Sequence, residues 1–214
     1  MFSRRKTEMV DPAEALPGRS TPAFPLPEKH EVLDAPLVTD DVPDGLEVAV
    51  FGLGCFWGAE EIYWQIPGVW STSVGYAGGV TPHPTYEEVC SGRTGHTEAV
   101  RIVFDPDRVS FADLVKQFFE VHDPTQGMRQ GNDVGTQYRS AIYFTTPEQE
   151  QTARDLTKVY GDEIARRGYG EITTEIAPAG DYWYAEPHHQ QYLHKNPYGY
   201  RCHANTGIPF PAHG

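Results

Sequence analysis

Cysteine is scarce in this chain of 214 residues: there are three, Cys55, Cys90 and Cys202. A small, odd number in a chain of ordinary domain size does not support a structural disulfide framework, so any thiol of consequence acts individually. Positive charge is short as well, with 17 basic residues against 30 acidic and a formal net charge of −13. The phosphate attraction that dominates nucleic-acid binding is therefore missing, and anionic membrane surfaces are equally poor partners. No stretch reaches the roughly 18 consecutive apolar residues that span a bilayer. The opening Met1 to Lys6 is not followed by the apolar segment of a signal peptide, which leaves Arg4-Arg5 a weak export signal. Internal repeats are absent, and so are Cys-x-x-Cys and His-Glu-x-x-His patterns. His188, His189, His194 and His203 gather near Cys202 in sequence, but adjacent histidines rarely reach one ion together, so packing or surface roles are expected and no metal site.

What is present suits one domain, since 39% hydrophobic residues over this length can build one well-packed core and not two of ordinary size. Residues 1–43 hold seven of the 18 prolines and little apolar periodicity, so they have no core of their own. They read either as a disordered arm or as an extended arm lying along the domain on Ala23-Phe24-Pro25-Leu26 and Pro36-Leu37-Val38. Residues 44–214 are expected to form the single domain.

Within it, Leu46 to Phe51 is a strong strand signal, and after Gly52 and Gly54 a helix follows over Phe56 to Gln65. Strands are expected over Val69 to Tyr76 and Glu98 to Phe104, with a polar loop between them. Ser110 can cap a helix carrying Phe111, Leu114, Val115, Phe118 and Phe119 at helical spacing. A polar, glycine-punctuated segment from Gln126 to Tyr138 leads into a strand over Ser140 to Phe144. Thr146-Pro147-Glu148 opens a long helix to about Arg167, and Ile172 to Ile176 supplies another strand. A short helix is expected near Pro187 to Leu193, followed by a coil-rich tail from Asn196. This order predicts an α+β fold: a mixed β-sheet with helices packed on one face, a split β-α-β (ferredoxin-like) core, an extended N-terminal arm and a coil-rich C-terminal tail.

Gly52-Leu53-Gly54-Cys55-Phe56-Trp57-Gly58 sets a cysteine where a strand turns into a helix. Unpaired amides and the positive end of the helix dipole favour thiolate there, the nucleophilic form, although a buried inert cysteine is the ordinary alternative. Phe56 and Trp57 read as helix core, or as a cage for a small apolar group beside the thiol. Glu98 opens an apolar strand beside a glycine-rich loop. It reads as an exposed strand-end charge or, if desolvated, as a carboxyl holding a proton for general-acid work. The run Gly127 to Arg139 is an ordinary solvated connection or a site-lining loop.

These segments resemble the A-type peptide methionine sulfoxide reductases. The resemblance rests on Gly54-Cys55-Phe56-Trp57-Gly58, then Gly75-Tyr76-Ala77-Gly78-Gly79, Pro84-Thr85-Tyr86, Gly95-His96-Thr97-Glu98-Ala99-Val100, His122-Asp123-Pro124, Arg129-Gln130-Gly131-Asn132-Asp133 and Tyr138-Arg139-Ser140-Ala141-Ile142, in the family's order. It runs from about Leu46 to Tyr200, and Pro12 to Arg19 is similar to longer bacterial members. The resemblance implies that Cys55 is the nucleophile, Phe56 and Trp57 the pocket for the substrate's methyl group, and Glu98 the proton donor. It likewise implies that Tyr86 and Tyr138 hydrogen-bond the sulfoxide oxygen and that Asp133 holds the polar side of the pocket. Attack would leave Cys55 as a sulfenic acid, which condenses with a second thiol. By the same resemblance that thiol is Cys202, on a tail whose glycines let it swing, and thioredoxin reduces the resulting disulfide.

No further tail cysteine follows, so a two-cysteine cycle is implied, while Arg201 stands between Tyr200 and Cys202 where some relatives have none. No cofactor is implied. The implied substrate is the S epimer of methionine sulfoxide, free or in oxidised proteins, and the implied setting is a cytoplasmic monomer. Cys90 carries no family role and reads as a passive thiol. The competing readings are a thiol peroxidase, which needs no methyl pocket, and a redox-sensing binding protein, which needs no Glu98.

Overall fold

The computed structural model describes residues 6–202 and 204–212, so the Arg4-Arg5 pair and His203 lie outside the described residues. Among the described residues, eight strands and five α-helices follow one another. They are β1 (Glu47–Leu53), α1 (Phe56–Trp64), β2 (Val69–Ala77), α2 (Tyr86–Cys90), β3 (Thr97–Phe104), α3 (Phe111–Val121), β4 (Arg129–Gln130), β5 (Asp133–Val134), β6 (Ser140–Phe144), α4 (Pro147–Arg166), β7 (Glu175–Pro178), β8 (Tyr182–Tyr184) and α5 (Tyr192–Lys195). Six strands form one sheet in the order β7-β6-β1-β3-β2-β8. The β6–β7 pair is parallel and the other neighbours are antiparallel, which makes the sheet mixed.

Strand alternation sorts the side chains. Val100, Ile102 and Phe104 of β3 join Phe51 of β1 and Ile142 of β6 on one face, where Tyr63 of α1, Phe118 and Phe119 of α3 and Tyr160 of α4 cover them. The other face carries smaller or polar-tipped residues, Val50, Ala77, Ala99, Ala141 and Tyr143. Local chemistry starts the helices: Ser110 and Asp113 form a capping box on α3, and Thr146 accepts from Gln149 N at the head of α4.

Several expectations are corrected. The stretch between β2 and β3 contains α2, opened by a capping box of Thr85 and Glu88, a Thr-x-x-Glu signature visible in the sequence. The strand expected at Ile172 to Ile176 begins later, at Glu175, paired with Ala141. Thr173 N and Oγ1 donate instead to the Pro124 carbonyl, which holds that residue off the ladder. Tyr182–Tyr184 is an edge strand on Gly75–Ala77. The helix expected near Pro187 starts only at Tyr192, because Gln191 takes a left-handed conformation with φ 45°. Gln190 meanwhile spends its amide on Val74 N and Val74 O.

The described part of the arm lies against the sheet. Leu37 and His30 are buried, the Pro36 carbonyl accepts from Ser71 Oγ, and Arg101 donates to Thr39. The tail is tied down as well: the Tyr160 hydroxyl donates to the Ile208 carbonyl, and Phe210 stacks on Tyr160 at 5.5 Å. Among the described residues no helix is long and apolar enough to cross a membrane.

Candidate active site

Where β1 ends, Gly54 adopts φ +92°, and a Cβ there would meet Gln130 Cγ at 2.8 Å. Both facts demand glycine, and together they aim Cys55 out of the strand as the N-cap residue of α1, with no side-chain cap bond of its own. The thiol accepts from the backbone N–H of Trp57. Beneath it, Glu98 occupies the next position along the row Val100, Ile102, Phe104, so strand alternation carries it onto the helix-covered face, where it is 1% exposed. Its Oε2 accepts from Phe56 N at 3.0 Å. Burial, helped by the nearby Asp133 carboxylate and only partly opposed by that hydrogen bond, pushes the Glu98 carboxyl up to about 8. Glu98 is therefore a neutral acid at pH 7 and not the exposed strand-end charge that its position alone also allowed.

The expectation of a resting thiolate at Cys55 is corrected. Burial pushes the thiol well up, Glu98 once ionised and Asp133 add to that, and the Trp57 amide offsets only part of it. A helix N-terminus stabilises a thiolate through a few partial charges, whereas desolvation acts on the full charge. At rest, both Cys55 and Glu98 hold their protons.

Tyr86 is the first residue of α2, and its backbone N–H donates to Glu186 Oε1 at 2.7 Å while the Tyr76 hydroxyl donates to Glu186 Oε2 at 2.8 Å. Tyr138 closes the 3-10 turn Thr136–Tyr138 just before β6. Burial raises both phenols, and the Glu98 charge raises them further, which puts the two hydroxyls and the carboxyl in one electrostatic neighbourhood. Asp133, in β5, is partly buried and shifted upward by desolvation; it accepts from the Tyr200 hydroxyl at 3.1 Å. Cys90 is half-buried and pushed up to about 11 by burial and then by Glu98, with its thiol beside the Tyr86 hydroxyl.

Phe56 is buried, 5.9 Å from the Tyr76 ring and 5.3 Å from His189. Trp57 is partly exposed, stacks on Tyr192 at 3.8 Å, and donates its indole N–H to His189 Nδ1 at 3.1 Å. The Tyr86 ring lies 4.6 Å from the same histidine. His189 thus joins Phe56, Trp57 and Tyr86 into one aromatic wall. Burial lowers its pKa to about 3, so it is neutral, with Nδ1 as acceptor and the proton on Nε2. His189, Tyr192 and Glu186 were missed in the sequence reading, which set the histidines aside as surface or packing groups. No local motif singles them out, and only the return of the chain over α1 brings them here.

Cys202 lies on the other approach to Cys55. The two thiols line one cleft of about 280 Å³ with Glu61, Gln130 and Arg201, and none of the aromatic residues lines it. The Cys202 thiol donates to the Gln130 carbonyl at 3.6 Å. Cys55 therefore stands between an aromatic wall and a second thiol. Among the described residues no three potential metal ligands converge.

A family profile described as peptide methionine sulfoxide reductase matches residues 47–209. The chain is 58% identical to the peptide methionine sulfoxide reductase MsrA of Salinispora arenicola, with 99% of this chain and 96% of the relative covered. Among solved structures, methionine sulfoxide reductase A of Corynebacterium diphtheriae superposes with a TM-score of 0.85 at 50% identity, covering 96% of this chain and 100% of that one. Mxr1 of Saccharomyces cerevisiae in reduced form matches with a TM-score of 0.70 at 32% identity over 75% of this chain and 91% of that one. Mxr1 has also been solved in complex with Trx2, and that chain shares the fold at 19% identity and a TM-score of 0.50.

Proposed function

The chain belongs to the peptide methionine sulfoxide reductase family, and from that footing we propose how its own residues carry the reaction. It is an oxidoreductase that reduces methionine sulfoxide to methionine and so repairs oxidative damage, with thioredoxin as the reductant; the yeast Mxr1–Trx2 complex supports the choice of partner. The substrate's methyl group packs against Phe56 and Trp57. Its oxygen accepts from the Tyr86 and Tyr138 hydroxyls, and Asp133 lines the polar side. Glu98 passes its proton to that oxygen, which makes the sulfur electrophilic. Cys55 attacks as its thiol proton passes to the Glu98 carboxylate, which restores that acid. The oxygen is transferred with its proton, its bond to the methionine sulfur breaking and one to the Cys55 sulfur forming, so two electrons move from the Cys55 sulfur to the methionine sulfur and Cys55 is left as sulfenic acid. Cys202 condenses with it: an S–S bond forms, and the hydroxyl leaves with the Cys202 proton as water. Thiol–disulfide exchange with thioredoxin restores both thiols.

The observation that carries this reading is the neutral, buried Glu98 carboxyl hydrogen-bonded to the amide that follows Cys55, with Cys202 in the adjoining cleft. The proton and the nucleophile required by a poor leaving oxygen stand together. We read the β6-β1-β3-β2 part of the sheet with α1 and α3 as the split β-α-β core, residues 1–43 as an arm, and 44–214 as the catalytic domain with its resolving tail. The S epimer is the substrate, in a cytoplasmic monomer.

The test is methionine release from S-methionine sulfoxide by wild type, Cys55→Ser and Cys202→Ser, with thioredoxin recycling and in a single turnover without reductant. Cys55→Ser is expected to release none. Cys202→Ser is expected to give one turnover and then stall with thioredoxin. Continued turnover by Cys55→Ser would overturn the reading.

A further inference from the structure

Three consecutive tail residues reach three different partners on the body of the domain. The Tyr200 hydroxyl donates to Asp133 Oδ2 at 3.1 Å, and the Cys202 thiol donates to the Gln130 carbonyl at 3.6 Å. Between them Arg201 forks onto Glu61 of α1, with Nε to Oε2 at 2.6 Å and Nη2 to Oε1 at 2.7 Å. The remaining nitrogen, Nη1, donates to the Pro197 carbonyl at 3.0 Å and the Gly199 carbonyl at 3.2 Å. One guanidinium therefore ties the turn before Cys202 to the helix whose N-cap is Cys55. A planar fork meeting a carboxylate on two parallel bonds constrains orientation as well as distance, which a lysine cannot reproduce. The pair is partly shielded, with side-chain exposures of 30% and 22%.

We propose that Arg201 and Glu61 form a clamp that holds Cys202 docked in the cleft of the reduced enzyme, so that the Cys55 sulfenic acid is captured as it forms. The inference rests on the reading of Cys202 as the resolving thiol and adds positioning residues to it. Loss of the clamp removes the bidentate tie between this segment and α1 and leaves Tyr200 and Cys202 to their single contacts with Asp133 and Gln130, so the thiol is held less firmly. The effective concentration of Cys202 at Cys55 then falls, although neither clamp residue touches the sulfoxide. The chemistry of the step is unchanged: sulfenic acid and thiol give a disulfide and water. The clamp alters only how often the two sulfurs meet. Its loss also lengthens the life of the sulfenic acid, which is open to capture by an added nucleophile.

The experiment uses the full chain, reduced, in a single turnover with S-methionine sulfoxide and no external reductant. Methionine release and Cys55–Cys202 disulfide formation are followed in parallel, with dimedone as the probe for sulfenic acid. For Arg201→Ala and Glu61→Gln the methionine burst is expected to match wild type in rate and amplitude, which also reports the folded fraction. Disulfide formation is expected to slow about tenfold, with dimedone adduct accumulating at Cys55. The double variant is expected to be no slower than either single, because the two residues act as one unit. Disulfide formation at the wild-type rate or faster in both single variants overturns the clamp, as does a parallel slowing of methionine release. If wild type itself forms no Cys55–Cys202 disulfide after the burst, the resolving role of Cys202 is what has failed, and that outcome is separate from the first two.

Discussion

At Glu98 one strand position decides the protonation state of the site. The residue continues the apolar row of β3, so it is buried as Val100 is, but it keeps a carboxyl whose pKa is raised to about 8. The sign for activity follows: the acid form is present below that value and is lost as pH rises through it. Single-turnover methionine release is expected to decline above about pH 8 in wild type. Glu98→Gln is expected to lower the rate by about 100-fold and to flatten that alkaline limb, since the amide has no proton to lose. A pH profile of the burst rate checks both, and a limb that persists in Glu98→Gln would assign the titration elsewhere. Cys90 gives a contrasting case. It shares the neighbourhood of Tyr86 and Glu98, yet no step of the mechanism uses it, and Cys90→Ser is expected to leave steady-state turnover within about twofold of wild type.

The secondary-structure elements were legible where a local signal names its own boundary. The Ser110 and Thr146 caps start α3 and α4 where their side chains allow, and removing the Ser110 hydroxyl in Ser110→Ala should cost about 1 kcal/mol in urea unfolding without touching activity. The short elements were less legible. α2 has five residues, and its capping box was readable, but the carboxylate that fixes its first residue, Glu186, lies 100 positions away from Tyr86. Glu186→Ala should therefore loosen α2, destabilise the fold by about 1–3 kcal/mol and lower the methionine burst rate by misplacing the Tyr86 hydroxyl. Tyr86→Phe in the same background should then add little further loss of rate, a comparison that separates misplacement from general instability. The β7 boundary shifted for a related reason, because Thr173 found a tertiary partner in the Pro124 carbonyl that outweighed its strand propensity.

Over the whole molecule, buried ionisable groups make stability depend on pH in two opposite ways. Glu60, a fully buried residue of α1, accepts from Thr72 Oγ1, Gln191 N and Gln191 Nε2, and burial still raises it to about 7. His30 of the arm accepts on Nδ1 from Val32 N and Leu33 N, so its Nε2 proton points to Thr72 Oγ1, and burial holds its pKa near 4. With His30 neutral, this is a hydrogen-bonded relay linking arm, sheet, α1 and the return segment, and not an ion pair. Raised carboxyls such as Glu60 and Glu98 favour the fold below their unfolded values, and that contribution is lost as pH rises through about 7 to 8. Lowered histidines such as His30, His122 and His189 act oppositely: the unfolded chain takes up protons first, so stability falls as pH drops below about 6.5. The unfolding free energy is expected to decline between pH 6.5 and pH 8.5, and Glu60→Gln to reduce that slope. An unchanged slope in urea titrations at the two pH values would count against the raised pKa of Glu60.

By itself the amino-acid sequence determined the α+β class, the strand-to-helix turn at Cys55, the main helix caps and the family, because glycine, capping residues and apolar periodicity act within a few positions of themselves. It also carried the family's candidate residues, in order. Only the tertiary structure decided that Glu98 is a buried neutral acid, that Cys55 rests as a thiol, that His189 closes the aromatic wall and that Arg201 anchors the tail to Glu61. Each of those depends on desolvation or on a partner far along the chain, and both exist only once the sheet has brought distant segments together.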